Sequence, residues 1–268
     1  VVENYAGFPD GIGGMELLDA MKKQAERFGT QIHSSVVSGI VPQKTGGPFT
    51  IMTDTGQYEA KTVICATGAQ AKKLGLETEE RFSGKGVSYC ATCDGFFFRG
   101  KDVAVVGGGD TAMEEATFLS TIAASVTIIH RSDKFRASPV MLEKAKQNGK
   151  IRFLVDSAIE SFTGSSILEA VTLLNTKTGA RSTAPFAGVF VAIGHTPATK
   201  FLDGFVKLDS EGYICLMAHD VRAAVTETSV RGIFAAGDCA DPRYRQGIVA
   251  AGSGAMAAID AQRYLEAA

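Results

Sequence analysis

Apolar and polar positions follow two different rhythms along this chain. Between residues 14 and 28 the period is helical. Leu18, Met21, Ala25 and Phe28 recur at three- and four-residue spacing, with Lys22, Lys23, Glu26 and Arg27 between them, which predicts an amphipathic helix. Extended runs follow at residues 49–53 and 62–66, separated by a Thr55-Gly56 turn and closing at Thr67-Gly68. From Asp102 the apolar runs become continuous. Val103-Ala104-Val105-Val106 predicts a buried strand, Gly107-Gly108-Gly109 a tight turn, residues 110–122 a helix and Val126-Thr127-Ile128-Ile129 the next buried strand. Strand, turn, helix and strand in about 30 residues make a βαβ unit.

An internal echo follows. Residues 171–194 run strand, Thr178-Gly179 turn and strand through residues 188–193 to Gly194, repeating the layout of residues 49–68. Two related units are expected, the second inserted between two parts of the first. The expected boundaries are residues 1–73 with 198–268 for one unit and 74–197 for the other. In the second unit the glycine turn at Gly107 precedes Gly194 by 87 positions. Counting back equally from Gly68 lands about 20 residues before Val1, so the first unit's own glycine turn is expected upstream of this chain. The tail predicts a buried strand at residues 233–236, a Gly237-Asp238 turn and a small-residue helix over residues 248–264.

Composition narrows the chemistry. The 268 residues carry a formal net charge of −2, which argues against an electrostatic nucleic-acid binder. No run of 18 or more apolar residues appears, nor a charged segment leading into an apolar export signal. The five cysteines are odd in number and thinly spread, unlike a secreted disulfide framework, so a cytosolic or organelle-matrix location is expected. Thirty glycines suit repeated close backbone approaches of the kind nucleotide phosphates require.

Gly107-Gly108-Gly109-Asp110-Thr111-Ala112 fits G-x-G-x-x-[GA] between a strand and a helix. In this motif Gly107 makes the turn, Gly109 admits a pyrophosphate and Ala112 allows close helix packing. The next strand ends in His130-Arg131, with Arg136 following, where an NAD site places an acidic residue; cations there favour a 2′-phosphate, hence NADP. Cys90-Ala91-Thr92-Cys93-Asp94-Gly95 carries two thiols spaced for a redox-active disulfide. A zinc half-site, lacking two further ligands, and a purely structural dithiol are the competing readings. His130 and His195 are better explained by nucleotide binding than by zinc. Asp94 is either a proton carrier for thiol exchange or a turn aspartate before Gly95. Asp238 offers an acceptor to a ribose or polyol, and Arg245-Gln246-Gly247 offers donors ahead of the last helix. Cys65, Cys215 and Cys239 read as inert, the first two as buried strand residues.

Together these motifs resemble the low-molecular-weight, bacterial-type thioredoxin reductase family over nearly the whole chain. The resemblance is carried by the Cys90–Gly95 motif, Glu3-Asn4-Tyr5 through Phe8-Pro9, the Gly107–Ala112 turn into Glu114-Glu115-Ala116, and His130-Arg131 with Phe135-Arg136-Ala137-Ser138. Gly194-His195-Thr196-Pro197, Gly237-Asp238 and Tyr244-Arg245-Gln246 complete it. It implies an α/β fold of two Rossmann-like three-layer dinucleotide-binding domains, the NADPH domain inserted into the FAD domain and carrying the cysteine pair. It further implies electron flow from NADPH through FAD to the Cys90–Cys93 disulfide and on to thioredoxin, in a homodimer. Cys93 would lie nearest the flavin, Cys90 would attack thioredoxin and Asp94 would be the acid/base. Gly107, Gly109, Asp110, Thr111, Ala112, His130, Arg131 and Arg136 would bind NADPH. Asn4, Gly237, Asp238, Arg245, Gln246 and Gly247 would bind FAD. Phe96 and Phe97 match positions near docked thioredoxin, with core packing as the other explanation. The family rotates one domain against the other, with hinges expected near residues 70–75 and 195–200. The family's second arginine after the histidine is replaced by Ser132, which predicts a smaller preference for NADPH over NADH. An NADH-preferring reductase serving a peroxiredoxin system and a flavin-free nucleotide-binding chain are the alternatives.

Overall fold

The structure, a computed structural model, describes residues 2–42, 48–217 and 224–267. It divides into two units, one made of residues up to Gln70 together with those from His195 onward, the other of Ala71–Gly194.

The first unit begins with helix α1 (Gly14–Arg27) and an antiparallel meander of β1 (Val37–Val41), β2 (Phe49–Thr53) and β3 (Gly56–Ala60). Strands β4 (Val63–Cys65) and β5 (Ala69–Ala71) lead to the crossing. The extended segment expected after the Thr55-Gly56 turn is therefore two strands. In α1 only Leu17 is buried, whereas Leu18 and Phe28 are 58% and 75% exposed. The helix forms as expected, but two residues of its predicted apolar stripe face outward.

The inserted unit opens with a short helix α2 (Glu79–Phe82), strand β6 (Val87–Ser88) and helix α3 (Ala91–Asp94). Then come β7 (Asp102–Val106), α4 (Asp110–Ser120), β8 (Ser125–Ile129), α5 (Pro139–Lys146) and β9 (Ile151–Leu154). A second meander follows, β10 (Ser157–Thr163), β11 (Ala170–Asn175) and β12 (Arg181–Pro185), and then β13 (Gly188–Val191). The central sheet is parallel throughout, in the order β6-β13-β7-β8-β9. Its strands are continuous apolar runs because both faces are covered. Val103, Val105, Val126 and Ile128 pack against Ala112, Met113, Ala116 and Leu119 of α4. Ala104, Val106 and Ile129 instead meet Phe162, Val171 and Leu173 of the meander. The period of two along each strand thus feeds two separate cores, giving three layers.

After β14 (His195–Pro197), the first unit resumes with β15 (Ile233–Ala235) and ends in α6 (Gly247–Ala267). β15 pairs in parallel with β4, Ile233 opposite Val63 and Ala235 opposite Cys65. The layering repeats. Ile233 and Ala235 pack toward Ile40 and Phe49 of the meander, while Phe234 and Ala236 pack on Ala257 and Ala261 of α6. Cys65 is buried in β4 as expected, but Cys215 is half-exposed and outside any strand; the other buried thiol is Cys239. Where the chain passes between units, Ala198 N–H donates to Gly68 O at 2.9 Å in the first unit and Lys72 N–H to Gly194 O at 2.9 Å in the second.

Candidate active site

The two thiols of the inserted unit sit where a strand turns into a one-turn helix. Cys90 caps α3 in extended conformation, and its Sγ accepts the N–H of Cys93 at 3.2 Å. Cys90 and Cys93 are joined in a disulfide with their Cα atoms 5.3 Å apart. The two sulfurs are thus bonded to each other in this structure, as the redox-disulfide reading expects. The amide already aimed at Cys90 Sγ favours a negative sulfur there once the bond is reduced. Thr92 Oγ1 lies 3.4 Å from the same sulfur.

Sequence reading missed the residue that organises this motif. Ser88, buried at the end of β6, donates from Oγ to Asp94 Oδ2 at 2.6 Å and accepts the N–H of Cys90 at 3.2 Å. It therefore ties the candidate proton carrier to the backbone of the first cysteine. A hydroxyl two residues before a thiol, hence on the same side of a strand, was the available signal. Gly95 closes the turn because a Cβ there would come within 3.0 Å of Leu119 and Ile122 side chains of α4. Next to it Phe96 and Phe97 are 62% and 49% exposed, so core packing does not account for them.

Between β7 and α4 the glycine turn behaves as its spacing requires. A Cβ on Gly107 (φ +156°) would lie 2.4 Å from Ala192 O and 2.8 Å from Ala112 Cβ, which excludes any side chain. Nothing lies within 4 Å of the same position on Gly109, leaving its backbone open to a ligand. Gly108 is covered by the His130 ring, which stacks on Phe135 with centroids 4.9 Å apart. Arg136 and Ala137 donate their N–H groups to Gly108 O at 2.7 and 3.0 Å. Asp110 Oδ1 accepts the N–H of Ser138 at 2.6 Å. Asp110 thus straps the basic loop to the start of α4. Beside the turn lies a cavity of about 490 Å³. Its lining includes the apolar Val106, Ile129, Ile159 and Ile193 together with Arg131, Lys134 and Arg136, and among the described residues no acidic side chain lines it. Thr111 and Ala112 sit in the first turn of α4, Ala112 fully buried.

The remaining candidates gather in the first unit. Asn4 Nδ2 donates to Gln246 Oε1 at 2.8 Å, and Tyr5 lies against Gly247 at the start of α6. Gly237 (φ +70°) makes the turn after β15 and donates its N–H to Ser253 Oγ at 2.9 Å. Burial, reinforced by Asp241 and opposed by Arg245, holds the Asp238 carboxyl above the usual range. No described residue donates a hydrogen bond to it. Arg245, with φ +49°, turns its guanidinium onto His195 Nδ1. His195 thus contacts Arg245 within the first unit, while His130 lines the cavity of the second.

The sequence pattern of the pyridine nucleotide-disulphide oxidoreductases matches residues 1–254. The chain is 50% identical over 268 residues to the thioredoxin reductase of Streptomyces coelicolor, covering 99% of this chain and 81% of that protein. It is 47% identical to the bifunctional thioredoxin reductase/thioredoxin of Mycobacterium leprae, covering 98% of this chain and 56% of that protein. The crystal structure of thioredoxin reductase from Streptococcus pyogenes superposes with a TM-score of 0.91 at 40% identity, over 100% of this chain and 85% of that one.

Proposed function

Since the chain belongs to the pyridine nucleotide-disulphide oxidoreductase family, we propose that it is a thioredoxin-disulfide reductase carrying electrons from NADPH, through FAD, to Cys90–Cys93 and on to thioredoxin. The observation that carries this reading is the placement of the disulfide. It lies in the same unit as a cation-lined nucleotide cavity in which no described acidic side chain stands, with its first sulfur held by an amide and its acid/base candidate fixed by Ser88.

The residues present fit both cofactors. The bare backbone at Gly109 suits a pyrophosphate, and Arg131 and Arg136 suit an adenosine 2′-phosphate. In the first unit, Asp238 is a half-buried acceptor in want of a donor, which the polyol hydroxyls of a bound flavin would supply. Asn4, Gln246, Gly247 and Arg245 would complete that site, with Gly237 shaping its turn. Bound flavin supplies the relay between a hydride donor and a dithiol.

The chain's own steps are thiol chemistry. With both thiols reduced, the Cys90 thiolate attacks a sulfur of the thioredoxin disulfide, forming a mixed disulfide and expelling one thioredoxin thiolate. The Cys93 thiolate then attacks Cys90 Sγ, regenerates the Cys90–Cys93 disulfide and releases reduced thioredoxin. Asp94 supplies and removes the protons at these sulfurs, its carboxylate oriented by Ser88. Exposed Phe96 and Phe97 supply an apolar docking surface for thioredoxin beside the attacking thiol. A homodimer is the assembly the resemblance implies. Among the described residues no helix is long and apolar enough to cross a membrane.

Anaerobic titration of the FAD-loaded chain with NADPH, followed by thioredoxin, tests this. Cys90→Ser and Cys93→Ser are each expected to bleach the flavin on adding NADPH yet to lose thioredoxin turnover by at least about 100-fold. Turnover surviving either substitution overturns the proposal.

A further inference from the structure

One cation of the nucleotide cavity is assigned neither by the glycine motif nor by the family pattern. We propose that Lys134 is a third recognition group for the adenosine 2′-phosphate, taking the part of the arginine that Ser132 replaces. This rests on the NADPH reading above and names a further residue that enforces it.

Ser132 itself does not point a donor at a ligand. Its Oγ lies 3.3 Å from Lys134 O, to which it donates, and 3.4 Å from Lys134 N, from which it accepts. His130 Nε2 is 3.1 Å from the same carbonyl. Ser132 and His130 therefore fold residues 130–134 into a tight turn that carries the exposed Lys134, which lines the cavity. The one acid in this turn is engaged elsewhere. Asp133 pairs with Lys177 at 3.5 Å, and Lys177 also meets Asp156 at 2.8 Å. Lys73, the other lysine on the cavity, is in an ion pair with Glu80. Among the described residues no carboxylate lies within ion-pair distance of Arg131, Lys134 or Arg136. Three cations without a described carboxylate partner thus line one cavity in which no described acidic side chain stands, with the loop that bears them tied to the glycine turn through Gly108 O.

A phosphate monoester near neutral pH carries close to two negative charges and takes several charge-assisted hydrogen bonds. Arg131 and Arg136 offer planar forks, and an ammonium at Lys134 adds a mobile point charge that can follow the same oxygens. Replacing the family's second arginine by serine therefore moves a recognition cation two positions along the chain.

Calorimetric titration of the full chain with adenosine 2′,5′-bisphosphate, and in parallel with 5′-AMP, separates the possibilities. Wild type is expected to prefer the bisphosphate. Lys134→Gln should weaken the bisphosphate by about 5- to 20-fold while leaving 5′-AMP unchanged, and Lys134→Arg should restore it. In steady state, Lys134→Gln should raise KM for NADPH and leave kcat, and KM for NADH, as they are. If Lys134→Gln matches wild type on both ligands while Arg131→Gln loses discrimination, Lys134 takes no part and the NADPH reading survives. If Lys134→Gln weakens both ligands equally, its role is structural and the proposal falls. If wild type itself does not distinguish the ligands, both this proposal and the NADPH reading fall.

Discussion

Cys65 and Cys239 are chemically unlike the pair at residues 90 and 93, and their surroundings say why. Cys239 Sγ lies 3.3 Å from Cys65 O, and both thiols are buried. Burial, with a smaller push from Cys239, raises the Cys65 thiol from 9.0 to about 12. A group whose folded pKa exceeds its unfolded value keeps its contribution below the unfolded pKa and loses it as pH rises toward the folded one. Between pH 9 and 12 the unfolded chain releases a proton that the folded chain retains. Urea unfolding at pH 8 and pH 10.5 should therefore show wild type losing on the order of 2 kcal/mol more than Cys65→Ala over that interval. Equal losses would dissociate the thiol from the effect. Sequence alone placed Cys65, because an apolar strand surrounds it, and misplaced Cys215, whose apolar neighbours Ile214 and Leu216 imitate a strand. It found Cys90, Cys93 and Asp94 from spacing, but Ser88 became visible only when β6 brought its hydroxyl to Asp94.

Among the elements, the link from the crossing into α2 is held by one carboxylate. Glu79 is buried, and its two oxygens accept the N–H groups of Leu74, Gly75 and Leu76 at 3.0, 2.9 and 3.4 Å, together with the Tyr89 hydroxyl at 3.0 Å. Burial first, and the Glu79 hydrogen bond next, push the Tyr89 hydroxyl up to about 12, so that it remains a donor. Residues 74–76 are thereby fastened to the inserted unit. Glu79→Ala should cost about 3 kcal/mol by orphaning these donors and should speed amide exchange at residues 74–76 selectively, with Glu79→Gln intermediate. A loss below about 0.5 kcal/mol would refute the fastening. None of this was legible, since Glu79 sits in the charged run Glu77-Thr78-Glu79-Glu80-Arg81, which reads as an exposed segment. The β7–α4–β8 segment was legible because its strands are buried on both faces and its turn needs glycine. The β10–β12 meander was harder to see. Its strands cover the sheet with one face only, and their mixed residues carry no clean period.

The whole molecule repeats one plan twice, a parallel sheet between a helix and an antiparallel meander, with the second copy set into the first. The echo of residues 49–68 in residues 171–194 revealed the duplication, although the structure divides the chain three residues earlier than expected at each crossing. That arrangement bears on how the chain finds its fold. Pairing β4 with β15 joins residues 63–65 to 233–235, a contact that must close a very long loop in an unfolded chain. Once the inserted unit has folded, Lys72 and Gly194 are hydrogen-bonded, and that long loop shrinks to the residues outside the insert, 66–70 and 195–232, which lowers its closure entropy. The insert should therefore fold first and template its host. In pulse-labelled hydrogen exchange during refolding, amides of residues 103–106 and 126–129 should gain protection before those of 63–65 and 233–235. Simultaneous protection, or the reverse order, would show that the host closes without that help. A late-assembling first unit would also make flavin capture the last event in maturation, leaving a transient species that already holds nicotinamide nucleotide but has no relay to reduce.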